Sequence, residues 1–268
     1  MRKKNDLCNN KKKMQSQLLR VNSKFRNDPD NTTTTNFTYS LGSTQATESV
    51  KRIELISFNC SRLFYNIGSY NNSITVRDGF GSEDTARLTP NHYSVESLVT
   101  ELNRVCVFVT SVGTVHLTFT IVGDRLAVAR DTTNAYIIVT SESSIAPYIG
   151  LTSYDFSVTT TPTPLPSLTQ LEGPDPIYVQ SFTICSGGCL DAVVLGGLIP
   201  LVGCIDCSQV GFGYNVAWKK TAPDMFYTEW AQGISIKTID IKLCDMYGNL
   251  LELPGNNIDC DLIFRIQY

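Results

Sequence analysis

Short apolar runs rich in β-branched residues recur along this chain, each soon cut off by Gly, Pro, Asn or Asp. "NFTYSL" (36–41), "VKRIELISFN" (50–59), "SITV" (73–76), "IYVQSFTIC" (177–185), "ISIKTIDIKLCD" (234–245) and "CDLIFRIQY" (260–268) all follow this pattern. Between them, "TVHLTFTIVGDRLAVARD" (114–131) carries Gly123-Asp124 where a hairpin would turn. Side chains of a strand alternate between two faces, so such runs bury one face each and must stack sheet on sheet. A single window changes period. In "SVESLVTELNRVC" (94–106), Val95, Leu98, Val99, Leu102, Val105 and Cys106 fall at helical spacing. Ser94 is the expected N-cap, with Ser97 where a complete capping box would have Glu or Gln. The expectation is a mainly β, antiparallel sandwich with one inserted amphipathic helix at about 94–106.

The 268 residues suffice for one large β domain or two smaller ones. Only 18 % are charged, and the charge is uneven. Residues 1–26 hold nine Lys/Arg against one Asp, a net +8, which leaves −11 on the remainder for a total of −3. Such an arm, with Arg2, Lys3, Lys4, Lys11, Lys12 and Lys13 at its core, suits DNA, an acidic protein surface or anionic lipid head groups. The expected organisation is a basic, disordered arm over 1–35 and a β-rich first part with the helix over 36–158. A Pro/Thr-rich linker or crossover over 159–176 follows, holding five of the eleven prolines. Strands over 177–268 then complete the sandwich or form a second β domain. The start of the chain lacks the apolar core of a secretory signal, and no apolar run is long enough to span a membrane. The nine cysteines are therefore expected to be mostly free thiols in a reducing compartment.

Signals for chemistry are sparse. The two histidines, His92 and His116, stand without a triad or metal motif, and no Gly-x-Ser-x-Gly, His-Glu-x-x-His or Walker pattern occurs. Neither catalysis nor a cofactor is expected. Cys185, Cys189, Cys204 and Cys207 are the candidate metal ligands, since two cysteine pairs can hold tetrahedral zinc. The apolar spacer "LDAVVLGGLIPLVG" (190–203) resembles a buried strand rather than the polar spacer of a small zinc module, which favours thiols near a β-turn. "RDGFGSED" (77–84) lacks the carboxylate spacing of a calcium loop and is expected at a hairpin tip. "GFGYN" (211–215) lacks the third glycine of a dinucleotide site.

The stretch "IKLCDMYGNLLELPG" (241–255) is the sharpest turn signal. Gly248-Asn249 permits the reversal, Asp245 is placed to accept from backbone N–H groups, and Pro254-Gly255 ends the connection. Apolar alternation upstream, through Ile234, Ile236, Ile239, Ile241 and Leu243, changes phase near Thr238, which predicts a β-bulge there.

Four stretches in order resemble a known family. They are "VKRIELISFNCSRLFYNIGSYNNSITV" (50–76), "ARLTPNHYSVESLVTELN" (86–103), "APYIGLTS" (146–153) and "IKTIDIKLCDMYGNLLELPGNNIDCDLIFRIQY" (236–268). Together they are similar to the minor capsid and penton-type proteins of large nucleocytoplasmic DNA viruses, virophages and Polinton-like elements. The matching positions are Ile53 and Leu55, Phe64 to Ile67, Leu88 to Tyr93, with Asn91 where the family has Gly, and Asp245 to Leu253. The resemblance spans about residues 24–268 and includes no catalytic residue. It implies a jelly-roll sandwich serving as a structural subunit, penton or cement, of an icosahedral double-stranded DNA virus shell. Its implied partners are the major capsomers and copies of itself, a pentamer for a penton. The basic arm would then contact DNA, an acidic capsid surface or an internal membrane. Assembly would take place in the host cytoplasm or nucleus. The alternative is a virion-surface module binding a receptor or glycan through loop aromatics such as Tyr65 and Tyr70.

Overall fold

The computed structural model describes residues 15–29, 32–42, 47–152, 154–185, 193–194, 197–198, 200–221, 227–254 and 259–268. Three strands come first: β1 (Ser16–Asn22), β2 (Asn36–Ser40) and the long β3 (Thr47–Ser61). A second group follows: β4 (Ser73–Asp78), β5 (Glu83–Arg87), α1 (Val95–Val105), β6 (Val107–Thr110), β7 (Gly113–Val122) and β8 (Arg125–Arg130). It continues through β9 (Tyr136–Ile138), α2 (Ala146–Ile149), β10 (Phe156–Val158) and β11 (Thr163–Pro164). The last group holds β12 (Ile177–Gln180), α3 (Phe182–Cys185), β13 (Val193–Val194), β14 (Gly197–Leu198) and β15 (Leu201–Ile205). It closes with β16 (Asn215–Lys219), β17 (Tyr227–Ile236), β18 (Thr238–Cys244) and β19 (Cys260–Gln267).

The first and last groups form one sandwich. One sheet runs β1-β19-β3, with β16 and β17 sharing the far edge of β3; the other runs β2-β18-β12-β15, and all pairs are antiparallel. The chain changes sheet at nearly every connection. First, third and last strands thus lie side by side, facing a sheet made of the second, penultimate and middle ones. This is the double Greek key of a jelly roll. Phe37, Ile53, Leu55, Phe58, Val179, Ile241, Leu243, Leu262 and Phe264 fill the space between the sheets. In β3 the inward positions switch from 53 and 55 to 58 and 60, because the register with β19 slips at Ile56. One extra residue exchanges the faces of a strand, so both halves of β3 reach the same core.

Residues 67–165 build a second sandwich inserted between β3 and β12, with its own core of Ile74, Val76, Leu98, Leu102, Phe108, Phe119, Val128 and Ile138 among others. Its sheets run β10-β9-β4-β5 and β11-β8-β7-β6, and α1 packs on β7. The capping box of α1 is complete. Ser97 serves in place of the expected Glu, its hydroxyl accepting from the Ser94 N–H while the Ser94 hydroxyl accepts from the Ser97 N–H. Gly123 takes φ +66 in the β7–β8 turn, a conformation for which Gly carries no Cβ penalty. The Pro/Thr-rich stretch 159–176 is the return leg from the second sandwich to the first. It is not wholly irregular, since Thr163 and Pro164 pair with β8 at a sheet edge, where a residue without an N–H is tolerated.

Two expectations are corrected. Residues 16–22, assigned to the basic arm, form β1 along β19, with Leu19 and Val21 inward. Two inward residues within a charge run are too few to reveal a strand in the sequence. The strand does not run on through a bulge at Thr238, although the register of β17 with β3 is irregular between Ile234 and Ile236. β17 ends at Ile236 in one sheet and β18 begins at Thr238 in the other. Ile236 and Ile239 point into the same core from opposite sides, and a change of sheet alters the alternation just as a bulge would.

Candidate functional site at the junction of the two sandwiches

The chain leaves the first sandwich through Arg62–Ile67 and returns through Leu171–Pro176, and both legs are held by buried polar side chains. The Arg62 guanidinium donates to the carbonyls of Cys207 at 2.8 Å, Glu172 at 3.0 Å, and Val210. An arginine keeps its charge at any physiological pH, so a buried one needs such a shell of acceptors. Asn66, 2 % exposed, works in both directions. Its amide donates to the carbonyls of Tyr93 and Leu171, both at 2.9 Å, and its oxygen accepts from the Tyr93 N–H at 2.8 Å. One side chain therefore joins the exit leg, the return leg and the entry to α1.

The turn after β18 completes the junction. Asp245 Oδ1 accepts from the backbone N–H of Tyr247 at 2.8 Å and of Asn249 at 2.9 Å, while Oδ2 accepts from Asn249 Nδ2 at 3.0 Å. Gly248 takes φ +84 and donates to the Asp245 carbonyl. Both carboxylate oxygens are thus engaged within the turn. Leu251 is buried in the first core, Leu253 packs against that core, and Pro254 is exposed. Glu252 then reaches the second sandwich, its carboxylate accepting from the N–H and hydroxyl of Ser69 and its carbonyl from the Tyr65 N–H. His92 of the second sandwich stacks on Phe212 of the first, with ring centroids 3.6 Å apart, and burial pushes its pKa down.

A cleft of about 760 Å³ opens beside this turn, lined by Tyr70, Tyr148, Tyr247, Asn71, Asp175 and Asp245 among others. Burial foremost, then the Asp245 charge, raises the Tyr70 phenol well above its ordinary value. Burial likewise raises Tyr148. Phenols held protonated, amides and carboxylates can bind polar ligands. Among the described lining residues there is no thiol, imidazole or amine to act as nucleophile or near-neutral base.

The other candidates lie elsewhere. Cys185 and Cys207 belong to the first core, where each thiol donates to a backbone carbonyl, and burial pushes Cys207 up to about 12. A zinc ligand must be a thiolate, which burial of this kind opposes. Cys204 is half-buried on β15, and Cys189 lies outside the described residues. Among the described residues no three His, Cys, Asp or Glu side chains are grouped as metal ligands. The 77–84 loop is a hairpin tip, as expected. There Asp78 Oδ1 accepts from the N–H groups of Phe80 and Ser82 at 2.9 Å, and Oδ2 accepts from the Ser111 hydroxyl at 2.6 Å. Gly255 and the arm residues Arg2, Lys3, Lys4, Lys11, Lys12 and Lys13 lie outside the described residues. Asn66 enters the sequence reading only as part of the Phe64–Ile67 turn that carries the family resemblance, and Arg62 does not enter it. The local signal for Arg62 is that a charged residue stands beside the apolar Leu63–Phe64 at a strand end.

Segments far apart in sequence meet here. Ile67 and Asn91 exchange backbone hydrogen bonds at 3.2 and 2.8 Å, Asn66 clasps Tyr93, and Tyr65 bonds to Glu252. The stretches 64–67, 88–93 and 245–253 thereby form one contiguous knot.

No family model and no curated protein matches the chain. Among solved structures, the chain is similar to the crystal structure of the selenomethionine-labelled mavirus penton protein. The identity is 8 % and the TM-score 0.47, over 94 % of this chain and 99 % of that one.

Proposed function

We propose that the chain is a structural virion protein without catalysis, a jelly-roll subunit of an icosahedral shell, and that it occupies the five-fold penton position. The observation that carries the reading is the junction knot. Three of the segments on which the capsid-family resemblance rests, 64–67, 88–93 and 245–253, are brought together by direct hydrogen bonds among them. Residues that resemble a family only as turn patterns thus act jointly, fixing the inserted sandwich to the jelly roll.

The mechanics suit a shell. The interior of the jelly roll is filled by side chains such as Phe37, Phe58 and Phe264, so it is a packed slab rather than a container for a ligand. A slab with an anchored second sandwich offers two rigid bodies to neighbours, and repetition around a ring turns weak contacts into avidity. The basic arm ahead of β1 would order on DNA, an acidic capsomer surface or a membrane as the particle assembles. A minor protein cementing the major capsomers is the neighbouring assignment within the same class.

Cryo-electron microscopy of particles containing the chain tests the proposal. Density for both sandwiches at the five-fold vertices is expected, whereas a chain absent from the shell overturns it. Light scattering of the purified chain separates a closed pentamer from the monomer or dimer expected of a cement protein.

The cleft at the junction favours a second reading, a glycan-binding surface module, because tyrosines beside amides and carboxylates suit sugar hydroxyls and ring faces. Glycan-array binding that disappears in Tyr70→Ala would support it.

A further inference from the structure

Cys60 and Cys260 stand directly opposite one another on β3 and β19, with their sulfurs 2.7 Å apart. Residues facing each other across antiparallel strands have Cα atoms about 4.5 or 5.5 Å apart, according to whether the pair is hydrogen-bonded. Both values fall within the range of about 4.4–6.8 Å that a disulfide spans. The two thiols are free and buried, and either can donate a hydrogen bond to the other. No other pair of described cysteines has its sulfurs in such contact. Cys106, for comparison, is buried in the second core.

We propose that Cys60 and Cys260 form a disulfide that staples the closing strand β19 to β3 once the protein meets a disulfide-bearing oxidant. The chemistry is thiol–disulfide exchange with a small-molecule disulfide such as oxidised glutathione. In the closed ladder the Cys60 contact and burial hold the Cys260 thiol protonated, so exchange starts when the strand end opens to solvent. There one cysteine thiolate attacks the oxidant, breaking its S–S bond and releasing one reduced thiol. The resulting mixed disulfide is then attacked by the neighbouring thiolate, which forms the Cys60–Cys260 bond and expels the second thiol. Two protein thiols are oxidised, one disulfide is reduced, and their two protons leave with the two released thiols.

Access and consequence both follow from position. Cys260 is the first residue of β19, and Cys60 lies one residue before the end of β3, so the pair closes the ladder at its fraying end. The Cys260 N–H donates to the Ser23 hydroxyl, in the 3₁₀ turn Ser23–Phe25 that follows β1. The bridge would join residues 200 apart and so enclose the whole inserted sandwich. A crosslink restricts the unfolded chain more as its loop lengthens, and the sulfurs already lie together in the folded state. In a reducing compartment the strands pair with free thiols; in an oxidising one the last strand becomes covalently fixed.

The experiment uses the full-length chain, purified under reductant and exchanged into buffers of rising oxidised-to-reduced glutathione ratio. The samples are alkylated and digested without reduction. Peptides carrying Cys60 and Cys260 are expected to appear joined, with the loss of two hydrogens. The melting temperature should rise by roughly 5–15 °C, and dithiothreitol should reverse both changes. Cys260→Ala should abolish the linked peptide and the rise, whereas Cys106→Ala should retain both. Three results would overturn the proposal: both thiols still alkylated at the highest ratio, linkage to a different cysteine, or a bridge that lowers the melting temperature. If Cys260→Ala does not fold, the peptide map of the unaltered chain still decides.

Discussion

Replacing Asp245 separates an architectural carboxylate from a functional one. The side chain is 6 % exposed and accepts three hydrogen bonds, two from backbone N–H groups and one from Asn249. Bonds to a charged acceptor each contribute about 1.5–3 kcal/mol. The three do not add in full after truncation, because Tyr247 is exposed and water can satisfy its N–H. Asp245→Ala should therefore cost about 2–3 kcal/mol. Asp245→Asn keeps one carbonyl oxygen where Oδ1 stands, and Asn249 can turn its own amide to meet the new NH₂. It should cost only about 1 kcal/mol. Both tryptophans, Trp218 and Trp230, pack in or against the core of the jelly roll that contains this turn. Their fluorescence in a denaturant titration thus reads the affected body and not the inserted sandwich. Near the midpoint, these costs correspond to losses of about 4–12 °C for Ala and about 2–4 °C for Asn. Equal costs for the two variants would refute the reasoning, since the charge would then matter rather than the acceptor geometry. A cost for Ala below about 0.5 kcal/mol, the range of an ordinary surface change, would refute the brace itself.

Two further outcomes follow from the inserted sandwich. Gly150 caps α2 at φ +89, and a Cβ there would stand 2.2 Å from the Ser167 carbonyl oxygen. Gly150→Ala should destabilise that sandwich by more than about 3 kcal/mol, combining left-handed strain with a backbone clash. Faster hydrogen exchange over 145–171 is the readout, and unchanged exchange would show that the return leg can simply move aside. Asp78 is lowered from 3.8 to about 2, first by the Ser111 hydroxyl and then, against the opposing effect of burial, by the Phe80 and Ser82 N–H groups. A carboxylate with a depressed folded pKa contributes stability that is fully present above its unfolded value and lost as the pH falls through the folded one. The stability gap between the wild type and Asp78→Asn should be constant above about pH 5 and narrow between about pH 4 and 2. A gap independent of pH down to 2 would contradict this.

Local signals in the sequence mark strands such as β18, the helix α1 and the Asp245 turn. Alternation in Ile239, Ile241 and Leu243, the helical spacing of Leu98 and Leu102, and Gly248 beside Asn249 are each decided within a few residues, by side-chain direction and backbone sterics. The jelly-roll order, by contrast, depends on which strands meet, and β19 lies between β1 and β3 although the chain reaches it last. No local rule sets that pairing; it follows from burying both apolar faces in one core. The phase change at Thr238 shows the same limit, because a bulge and a change of sheet leave one pattern in the sequence and only the fold tells them apart. Arg62 looks ordinary as a residue at a strand end, and Asn66 reads only as part of a turn pattern. They became junction residues because tertiary packing removed water from around them and supplied backbone carbonyls in its place, at 2.8 to 3.0 Å. Likewise Cys60 and Cys260, 200 residues apart, are two among nine cysteines until antiparallel register sets their sulfurs face to face.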